Sequence, residues 1–511
     1  MKTHYGYIII GTGAGGGTIA QILADSGKSI LILERGKFLP QEKENWDSVA
    51  VFGEERYHTK EVWKDKNGES IHPGTGYWVG GNTKVYGAAL FRLREKDFEE
   101  IKHCARVSPA WPIKYKDFEK FYDKAEKLYD VHGKSGEDPT EPFRSEPFPF
   151  EAVSDEPRIA DIRIALKNYG LKPFDIPLGI KLNERNLLES QCIKCDTCDG
   201  FPCLIHAKAD ADINCIRPIM KKENVNLLTE AMAERLLTND EGNKIVGVET
   251  YLQNEKQIFS AETVIVSCGA INSALLFLKS ANEKHPNGLA NKSDQVGRNF
   301  MKHQNAAMLA ISTKENRTKF QKTLAVTDFY FGDEDFEFPM GTVQLMGKSN
   351  RYMLKDDAPI FTPGKFLDEM SQHSVDWWFT GEDLPDYENR VLWNNGQVQL
   401  NYTENNEDGF NRLIKKFSKI LTEIEDEIKF LPENINISKK IPLAGVAHQV
   451  GTLRFGDNPE TSVLDINCKT HEIDNLYVVD GSFFPSSGAV NPSLTIIANA
   501  IRVGEYLKNL I

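Results

Sequence analysis

Residues 7–17 read YIIIGTGAGGG, an apolar run that passes directly into a glycine-rich turn. The apolar run predicts a buried strand, and the small residues behind it predict a helix that starts at once. Gly11, Gly13 and Gly16 have the G-x-G-x-x-G spacing, in which missing side chains let backbone N–H groups and a helix N-terminus approach a pyrophosphate. This stretch therefore predicts a dinucleotide site.

A second apolar run, residues 29–33, is followed by Glu34 and Arg35. A carboxylate at the end of the second strand accepts hydrogen bonds from the ribose hydroxyls of a bound dinucleotide. The order strand, glycine turn, helix, strand and acid predicts the opening β-α-β unit of a Rossmann-type domain. It leaves open whether the dinucleotide is NAD or FAD.

The bulk properties of the chain exclude several classes of partner. Its 511 residues predict two to four structural units, and a formal charge of -13 argues against nucleic acid and anionic membrane surfaces. No apolar run reaches membrane-spanning length, and the first residues enter the first strand without a hydrophobic leader. We therefore expect a cytoplasmic protein, with export alongside a partner protein as the alternative.

A second glycine-rich loop follows, since residues 72–83 read HPGTGYWVGGNT. Its glycines, among them Gly80 and Gly81, indicate another close approach of backbone to a ligand. We interpret it as a second cofactor contact, and the alternative is an ordinary tight loop.

Further elements extend the domain that binds the dinucleotide. Apolar residues at helical spacing predict a helix over 113–129, and alternating residues predict strands over 225–237 and 244–252. A buried strand over 263–267 precedes Gly269 and an apolar helix, which indicates a return to the first domain. We predict an α/β fold with a discontinuous domain over 1–305 and 439–511 that includes an excursion at about 130–215. A second, substrate-binding domain covers 306–438, and a helix over 410–430 covers one face of its sheet.

Near the C-terminus, residues 475–481 predict one more strand, which ends in Asp480 and Gly481. Asn491 followed by Pro492 is typical of a helix start, with asparagine as N-cap and a helix continuing to residue 507. The positive end of that helix suits a flavin ring, on which negative charge accumulates when hydride is accepted. The alternative for Asn491 is a role as helix cap alone, and the alternative for His448, 43 residues earlier in the chain, is a place as a core histidine.

The chain resembles the glucose-methanol-choline (GMC) oxidoreductases. The segments that carry the resemblance occur in family order: GTGAGG at 11–16, GGNT at 80–83, SPAWP at 108–112, VGRN at 296–299, and the segments around His448 and Asn491. The resemblance implies FAD, a six-stranded sheet in the substrate domain, and oxidation of a CH–OH group to a carbonyl. The branch that looks most similar is the bacterial sugar and polyol oxidases and dehydrogenases.

The resemblance also implies catalytic roles. His448 is the general base that takes the hydroxyl proton while hydride passes to flavin N5, and Asn491 holds the same oxygen. We expect a neutral histidine near its normal pKa. In pyranose oxidases the loop after the glycine pair supplies a histidine that binds the flavin covalently, whereas this chain has Lys84 after Thr83, so we expect noncovalent FAD. The predicted cofactor-binding residues are Gly11, Gly13, Ala14, Gly15, Gly16, Glu34, Arg35, Gly80, Gly81, Asn82, Thr83, Ala231, Met232, Gly269, Asp480, Gly481, Asn491, Pro492 and Thr495.

Four of the eight cysteines, Cys192, Cys195, Cys198 and Cys203, fall within twelve residues. Thiolates this dense bind an iron–sulfur cluster or zinc, and the alternative is a disulfide or free-thiol loop. Some GMC dehydrogenases hold a three-iron cluster at a similar place.

These observations predict an FAD-dependent oxidoreductase acting on a sugar, glycoside or polyol. Oxygen, a quinone or a redox partner protein reoxidises the flavin. Trp377, Trp378 and Phe379 are candidate stacking walls for the substrate, and their alternative is a place in the core. The alternative functions are a nonsugar alcohol as substrate, an atypical flavin reaction, or an electron-transfer subunit.

Overall fold

The computed structural model describes residues 3–253, 255–355, 362–424, 437–445 and 447–510. The strands are β1 (His4–Ile10), β2 (Ile30–Leu33), β3 (Trp63–Asp65), β4 (Ser70–Ile71), β5 (Ile101–Lys102), β6 (Val107–Ser108), β7 (Val131–Gly133), β8 (Phe150–Glu151), β9 (Phe174–Asp175), β10 (Leu178–Gly179), β11 (Val225–Leu228), β12 (Ala231–Thr238), β13 (Ile245–Leu252), β14 (Glu255–Val266), β15 (Met301–Lys302), β16 (Gln304–Ile311), β17 (Leu324–Val326), β18 (Thr342–Leu345), β19 (Ser374–Gly381), β20 (Arg390–Asn394), β21 (Gln397–Asn401), β22 (Ile437–Lys440), β23 (Gln449–Val450) and β24 (Leu476–Val478). The helices are α1 (Ala14–Leu23), α2 (Tyr115–Leu128), α3 (Pro157–Tyr169), α4 (Arg217–Ile219), α5 (Ala270–Lys279), α6 (Arg351–Lys355), α7 (Gly364–His373), α8 (Glu407–Glu423) and α9 (Ser493–Asn509).

The predicted β-α-β unit lies at the centre of a seven-stranded sheet. Five strands run parallel in the order β11, β2, β1, β14 and β24, and β13 and β12 continue from β14 in antiparallel order. The long β14 belongs to both parts, because its first half pairs with β13 and its second half lies between β1 and β24. The carboxyl ends of β1, β2, β14 and β24 therefore meet at one edge, where ligands of such sheets bind.

One strand prediction was wrong in its extent. Residues 225–237 form two strands, because the chain leaves β11 after Leu228 and turns at Glu230, whose φ is 55°. β11 then joins β2 in the parallel sheet, whereas β12 pairs with β13.

The last helix of the chain packs against the first. α9 contacts α1 and α2, and a Cβ at Gly504 would lie 2.8 Å from the Ile22 side chain, so glycine permits the close approach. Thr495 Oγ1 and the Tyr122 hydroxyl form a buried hydrogen bond of 2.7 Å between α9 and α2. The start of α9 is thereby brought to the edge of the sheet at which α1 begins. None of the described helices combines the length and the apolar composition of a membrane span.

The six-stranded sheet that the resemblance implied is present and entirely antiparallel, in the order β22, β16, β19, β18, β17 and β9. Apolar side chains of α3 and α8 cover one of its faces. α8 confirms the predicted covering helix but begins at residue 407, and the predicted residues 425–430 lie outside the described residues. The fold is thus a Rossmann-like domain with a second unit built on a helix-covered antiparallel sheet.

The strands of the six-stranded sheet do not all come from one continuous part of the chain. β9, at residues 174–175, supplies an edge strand from far upstream of the other strands. β20 and β21 instead join β3 and β4 in a separate four-stranded sheet. The division of the chain into domains at residues 305 and 439 stays a prediction.

Candidate functional site

A cavity of about 980 Å³ extends from the carboxyl edge of the parallel sheet to the six-stranded sheet. Residues from both ends of the chain line it, including Gly13 and Glu34 near the start and His448 and Asn491 near the end. Its volume is at the upper end of the range for small-molecule and cofactor sites. Of the predicted cofactor-binding residues, Gly16, Gly80 and Thr495 lie behind its wall and the others line it.

The glycines of the first turn have different roles. Gly11 has a φ of 94°, and a Cβ there would lie 2.2 Å from the Ser267 carbonyl oxygen. Cβ atoms at Gly15 and Gly16 would each lie 2.1 Å from a carbonyl oxygen, of Val479 and of Gly11. These three glycines permit backbone packing, whereas a Cβ at Gly13 would have no protein atom nearer than 4.0 Å. The open side of Gly13 leaves the room that a ligand's phosphates need at the start of α1.

Glu34 accepts hydrogen bonds that hold the first glycine turn in place. Its Oε2 accepts hydrogen bonds from the Thr12 amide at 3.0 Å and the Thr12 hydroxyl at 2.5 Å, and its Oε1 accepts from the Gly36 amide at 2.8 Å. A carboxylate has about four acceptor positions, so one stays available to a ribose hydroxyl. Burial raises the pKa of Glu34, while these three hydrogen bonds oppose that shift. Sequence reasoning missed Thr12, although a hydroxyl residue between two motif glycines was the signal.

The second glycine loop touches the first. Gly80 and Gly81 have φ values of 97° and 55°, the Gly80 amide donates to Thr12 Oγ1 at 3.0 Å, and a Cβ at Gly81 would lie 2.9 Å from Gly13 Cα. The loop therefore forms the opposite wall of the same space, and Gly81, Asn82 and Thr83 line the cavity. It is not an isolated tight loop.

Asp480 lines the cavity and connects the end of β24 to the start of α5 and to the turn that follows Gly481 by hydrogen bonds. Its Oδ2 accepts from the Gly269 amide at 3.0 Å and the Ser273 hydroxyl at 2.5 Å, and its Oδ1 accepts from the Ser482 amide at 2.9 Å. Burial raises the pKa of Asp480, and the hydrogen bonds that it accepts oppose the shift. Gly269 has a φ of 85° and no protein atom within 4 Å of a Cβ position, so the start of α5 is also open to a ligand.

Arg35 lies against residues that the sequence did not single out. Its guanidinium is 3.6 Å from the centre of the Tyr77 ring and donates to Glu61 at 2.5 Å, and the Tyr77 hydroxyl donates to the same carboxylate at 2.6 Å. All three residues line the cavity, as do Ala231 and Met232 at the start of β12. Arg35, Tyr77 and Glu61 thus form one part of the cavity wall, in which the guanidinium stacks on the ring and the carboxylate neutralises its charge.

His448 also lines the cavity and is paired with His303, a residue that sequence reasoning missed. Their Nδ1 atoms are 3.0 Å apart, and Nε2 of His303 is 3.2 Å from the Ser487 carbonyl oxygen. A carbonyl only accepts, so Nε2 of His303 carries its proton and Nδ1 of His303 is an acceptor. The shared proton therefore belongs to Nδ1 of His448. Nε2 of His448 is left unprotonated, and within the described part of the chain it makes no hydrogen bond.

Both histidines are neutral at physiological pH. Burial lowers the pKa of His303 to about 4, and burial together with the neighbouring His303 lowers the pKa of His448 to about 3. The expectation of a histidine near its normal pKa was wrong, because the sequence shows neither the depth of the site nor the second ring. The low pKa keeps the His448 imidazole unprotonated over a wide pH range.

Asn491 lines the cavity but does not cap the last helix. α9 begins at Ser493, Pro492 occupies the N-cap position, and no side chain caps the helix by a hydrogen bond. The predicted start was therefore early, and within the described residues the Asn491 amide has no hydrogen-bond partner. Its donor is available to the cavity that His448 also lines.

The cysteine cluster gives no support to the metal prediction. In the described ranges, which contain Cys192, Cys195, Cys198 and Cys203, no group of three or more His, Cys, Asp or Glu side chains could hold a metal ion. These four cysteines are free thiols, and burial raises the pKa of Cys192 to about 12.

The aromatic triplet is divided between two environments. Trp377 and Phe379 point into the core against Phe417 of α8, with ring centres 4.8 Å and 5.8 Å away, so two of the three candidate walls are structural. Trp378 lies between them in β19 and points to the opposite face, where it lines the cavity. The period of two in a strand decides this division.

The fold therefore defines an α/β protein with a Rossmann-like FAD-binding domain. Models of the GMC oxidoreductase family match residues 5–305 and 389–500. The chain is 28% identical to 6'''-hydroxyparomomycin C oxidase of Streptomyces lividus, over 98% of this chain and 91% of that protein. It is 25% identical to the fructose dehydrogenase large subunit of Gluconobacter japonicus, over 98% of this chain and 97% of that protein.

Solved structures share the fold. Pyridoxine 4-oxidase from Mesorbium loti superposes with a TM-score of 0.70 at 16% identity, over 98% of both chains. A formate oxidase superposes with a TM-score of 0.67 at 14% identity, over 99% of this chain and 98% of that chain. This chain belongs to the GMC oxidoreductase family and is an oxidoreductase of that family.

Proposed function

We propose that the protein oxidises a CH–OH group of a sugar, glycoside or polyol to a carbonyl, with noncovalent FAD as the hydride acceptor and His448 as the base. The observation that carries the proposal is the His303–His448 pair, which leaves Nε2 of His448 unprotonated and, among the described residues, without a hydrogen bond, on a side chain that lines the cavity. Relatives named as oxidases and dehydrogenases of sugars and diols support the substrate class.

The cavity residues fit FAD. Gly13 and Gly269 leave open backbone at the starts of α1 and α5, and Glu34 keeps one acceptor position for a ribose hydroxyl. Lys84 follows the glycine pair, where a histidine would attach the flavin covalently, and its side chain supports noncovalent binding. Its ammonium group donates to Asp210 at 3.0 Å and to Asp212 at 3.1 Å, behind the cavity wall. When bound, FAD supplies the site that accepts the hydride.

The chain's own residues handle the proton. Nε2 of His448 accepts the proton of the substrate hydroxyl as the carbon gives up its hydride, so that the C–O single bond becomes a carbonyl. The Asn491 amide donates to the same oxygen and stabilises the negative charge that develops on it. That charge beside His448 raises the pKa of the imidazole above its value in the ligand-free protein. Proton acceptance therefore becomes favourable only when a substrate oxygen is in place.

The test is anaerobic mixing of the FAD-loaded protein with saccharides, polyols and simple alcohols. A saccharide or polyol should bleach the flavin absorbance. His448→Ala should lower the limiting bleaching rate about 10²- to 10⁴-fold, the usual contribution of a general base, while FAD stays bound. A flavin that no saccharide or polyol bleaches would refute the substrate class, and an unchanged rate in His448→Ala would refute the assigned base.

A further inference from the structure

Two acidic residues, Glu382 and Asp383, directly follow β19, and both side chains are buried. The antiparallel ladder between β19 and β16 ends at Gly381. Continued by one position, its register places Glu382 opposite His303. The position after that places Asp383 opposite Lys302. We call Glu382 and Asp383 the acidic pair. Neither is among the described residues that line the cavity, so any effect of the acidic pair on the site passes through other residues.

Asp383 holds the main chain immediately before His303. Its Oδ2 accepts a hydrogen bond of 3.0 Å from the Lys302 amide. Lys302 also belongs to β15, in which it lies opposite Gln449 of β23. The next position of that antiparallel register falls on His303 and His448, whose Nδ1 atoms are 3.0 Å apart. Asp383 therefore fixes the strand that brings the two imidazole rings together.

The acidic pair also holds the backbone that accepts the proton of His303. Glu382 Oε1 accepts a hydrogen bond of 3.3 Å from the Gly488 amide. The main-chain carbonyl oxygen of Asp383 accepts from the Ser487 hydroxyl at 2.9 Å. The Ser487 carbonyl oxygen lies 3.2 Å from Nε2 of His303. The acidic pair thus fixes both the strand that carries the His303 ring and the carbonyl that decides which of its nitrogens is protonated.

The SPAWP motif, which carries part of the family resemblance, supports the same region from behind. The Ser108 hydroxyl donates to Glu382 Oε1 at 2.6 Å, and Nε2 of His103 lies 3.0 Å from Glu382 Oε2. The Trp111 indole N–H donates to the Ser486 hydroxyl oxygen at 2.9 Å. All of these side chains are buried. Among the described residues the motif does not line the cavity, and its contacts hold the acidic pair and the segment that begins at Ser486.

We propose that Glu382 and Asp383 are positioning residues for the oxidation and that they act through His303. They keep Nδ1 of His303 in place to accept the proton of His448. Nε2 of His448 then stays free to take the proton of the substrate hydroxyl. This inference rests on the proposed function and adds to it two residues that lie outside the cavity.

The test measures the limiting rate of anaerobic flavin bleaching in the FAD-loaded protein, with a substrate that reduces the wild type. Asp383→Ala removes the acceptor of the Lys302 amide. Glu382→Ala removes the acceptor of the Gly488 amide. Each should lower the limiting rate about tenfold, the effect of losing one buried hydrogen bond that holds the base, and should change the half-saturating concentration by no more than about twofold. Wild-type limiting rates in both variants would overturn the proposal.

Asp383→Asn is the conservative variant that tests the hydrogen bond itself. Burial raises the pKa of Asp383 to about 8, so its carboxyl group is protonated and uncharged at neutral pH. The amide oxygen of asparagine can accept from the Lys302 amide at the same place. Asp383→Asn should therefore recover most of the rate that Asp383→Ala loses. An Asp383→Asn protein as slow as Asp383→Ala would overturn the role of this hydrogen bond.

A double variant shows whether Asp383 acts through His303. In His303→Ala the group that Asp383 positions is absent, so adding Asp383→Ala should lower the limiting rate by no more than about twofold. A further loss of about tenfold in that background would show that the two residues act independently, and would overturn the proposal. Ser487→Ala removes one hydroxyl and keeps the carbonyl acceptor. It should lower the rate about threefold, and it repeats both comparisons if the larger truncations do not fold.

Asp376→Ala is the matched control. Asp376 is a fully buried carboxyl group on the same strand β19, outside the cavity wall, and its Oδ2 accepts from the Gln321 side chain at 2.8 Å and the Ser349 amide at 3.0 Å. Its removal should lower the free energy of unfolding and leave the limiting rate unchanged. An equal loss of rate in Asp376→Ala would overturn the specific role of the acidic pair. Failure of every substrate to bleach the wild type would instead overturn the proposed function, and the positioning role with it.

Discussion

Replacement of His303 by alanine should slow flavin reduction without removing the base. His303 holds the proton of His448 on Nδ1, so its loss removes one buried hydrogen bond and lets His448 adopt the tautomer with a protonated Nε2. An unpaired buried group costs about 1–3 kcal/mol. With about 1.4 kcal/mol for each factor of ten, the limiting rate should fall about 10- to 100-fold. This loss is smaller than that expected for His448→Ala.

The assay is anaerobic stopped-flow bleaching with a substrate from the panel, in which the limiting rate should change more than the half-saturating concentration. His303→Asn should recover part of the rate, because its amide oxygen can accept from Nδ1 of His448 and its amide N–H can donate to Ser487. The pH dependence adds a readout that a merely structural role would not move. His303 lowers the pKa of His448, so His303→Ala should shift the acidic limb of the rate profile to higher pH.

His285→Ala is the matched control, since it removes another buried histidine, one whose Nε2 is 2.7 Å from the Gly242 carbonyl oxygen, outside the cavity wall. It should lower stability without moving the pH profile. A His303→Ala protein that is folded, loaded with FAD and indistinguishable from the wild type in limiting rate and pH profile would refute the tautomer argument.

Three further predictions concern the cofactor turn, the core and pH. Gly13→Ala should weaken FAD binding in a titration of the apoprotein, while Gly15→Ala should reduce soluble folded protein because its Cβ would lie 2.1 Å from the Val479 carbonyl oxygen. Trp377→Ala should lower the free energy of unfolding by about 3–5 kcal/mol in chemical denaturation, because it empties core volume beside Phe417. His303 takes up a proton near pH 6.5 when unfolded but only near 4 when folded, so its contribution to stability is lost as pH falls through this window, by about 2 kcal/mol at pH 5.

Each of these three predictions can be refuted by a specific result. Equal FAD affinity in Gly13→Ala and the wild type would show that the open side of Gly13 does not face the cofactor. Trp377→Ala with wild-type stability would place the indole outside the tight core. If the denaturant concentration at the unfolding midpoint does not decrease when the pH is lowered from 6.5 to 5, His303 is already protonated in the folded protein.

Much of the dinucleotide-binding half could be read from the sequence because its signals are local. Glycines with a positive φ or with a carbonyl at the Cβ position, as at Gly11 and Gly15, are imposed by the backbone of the turn itself. Buried parallel strands are continuous apolar runs, which is why β1, β24 and the buried C-terminal end of β14 were visible. The strand over 225–237 was misread, since nothing local to the apolar pattern shows that the chain changes partner at Glu230.

The sequence by itself determined the glycine turns and the acids at the strand ends, because each is a requirement of one short segment, whereas His448 as the base was implied only by the family resemblance and stays a prediction. Only the tertiary structure decided which groups meet. His303 and His448 are 145 residues apart, and their contact sets the tautomer of His448, while burial together with that contact lowers its pKa. Likewise Trp377 and Trp378 are neighbours in sequence, yet α8 packing on one face of the sheet sends the first to the core and the second to the cavity. Pairing and burial are long-range properties, so no local pattern encodes them.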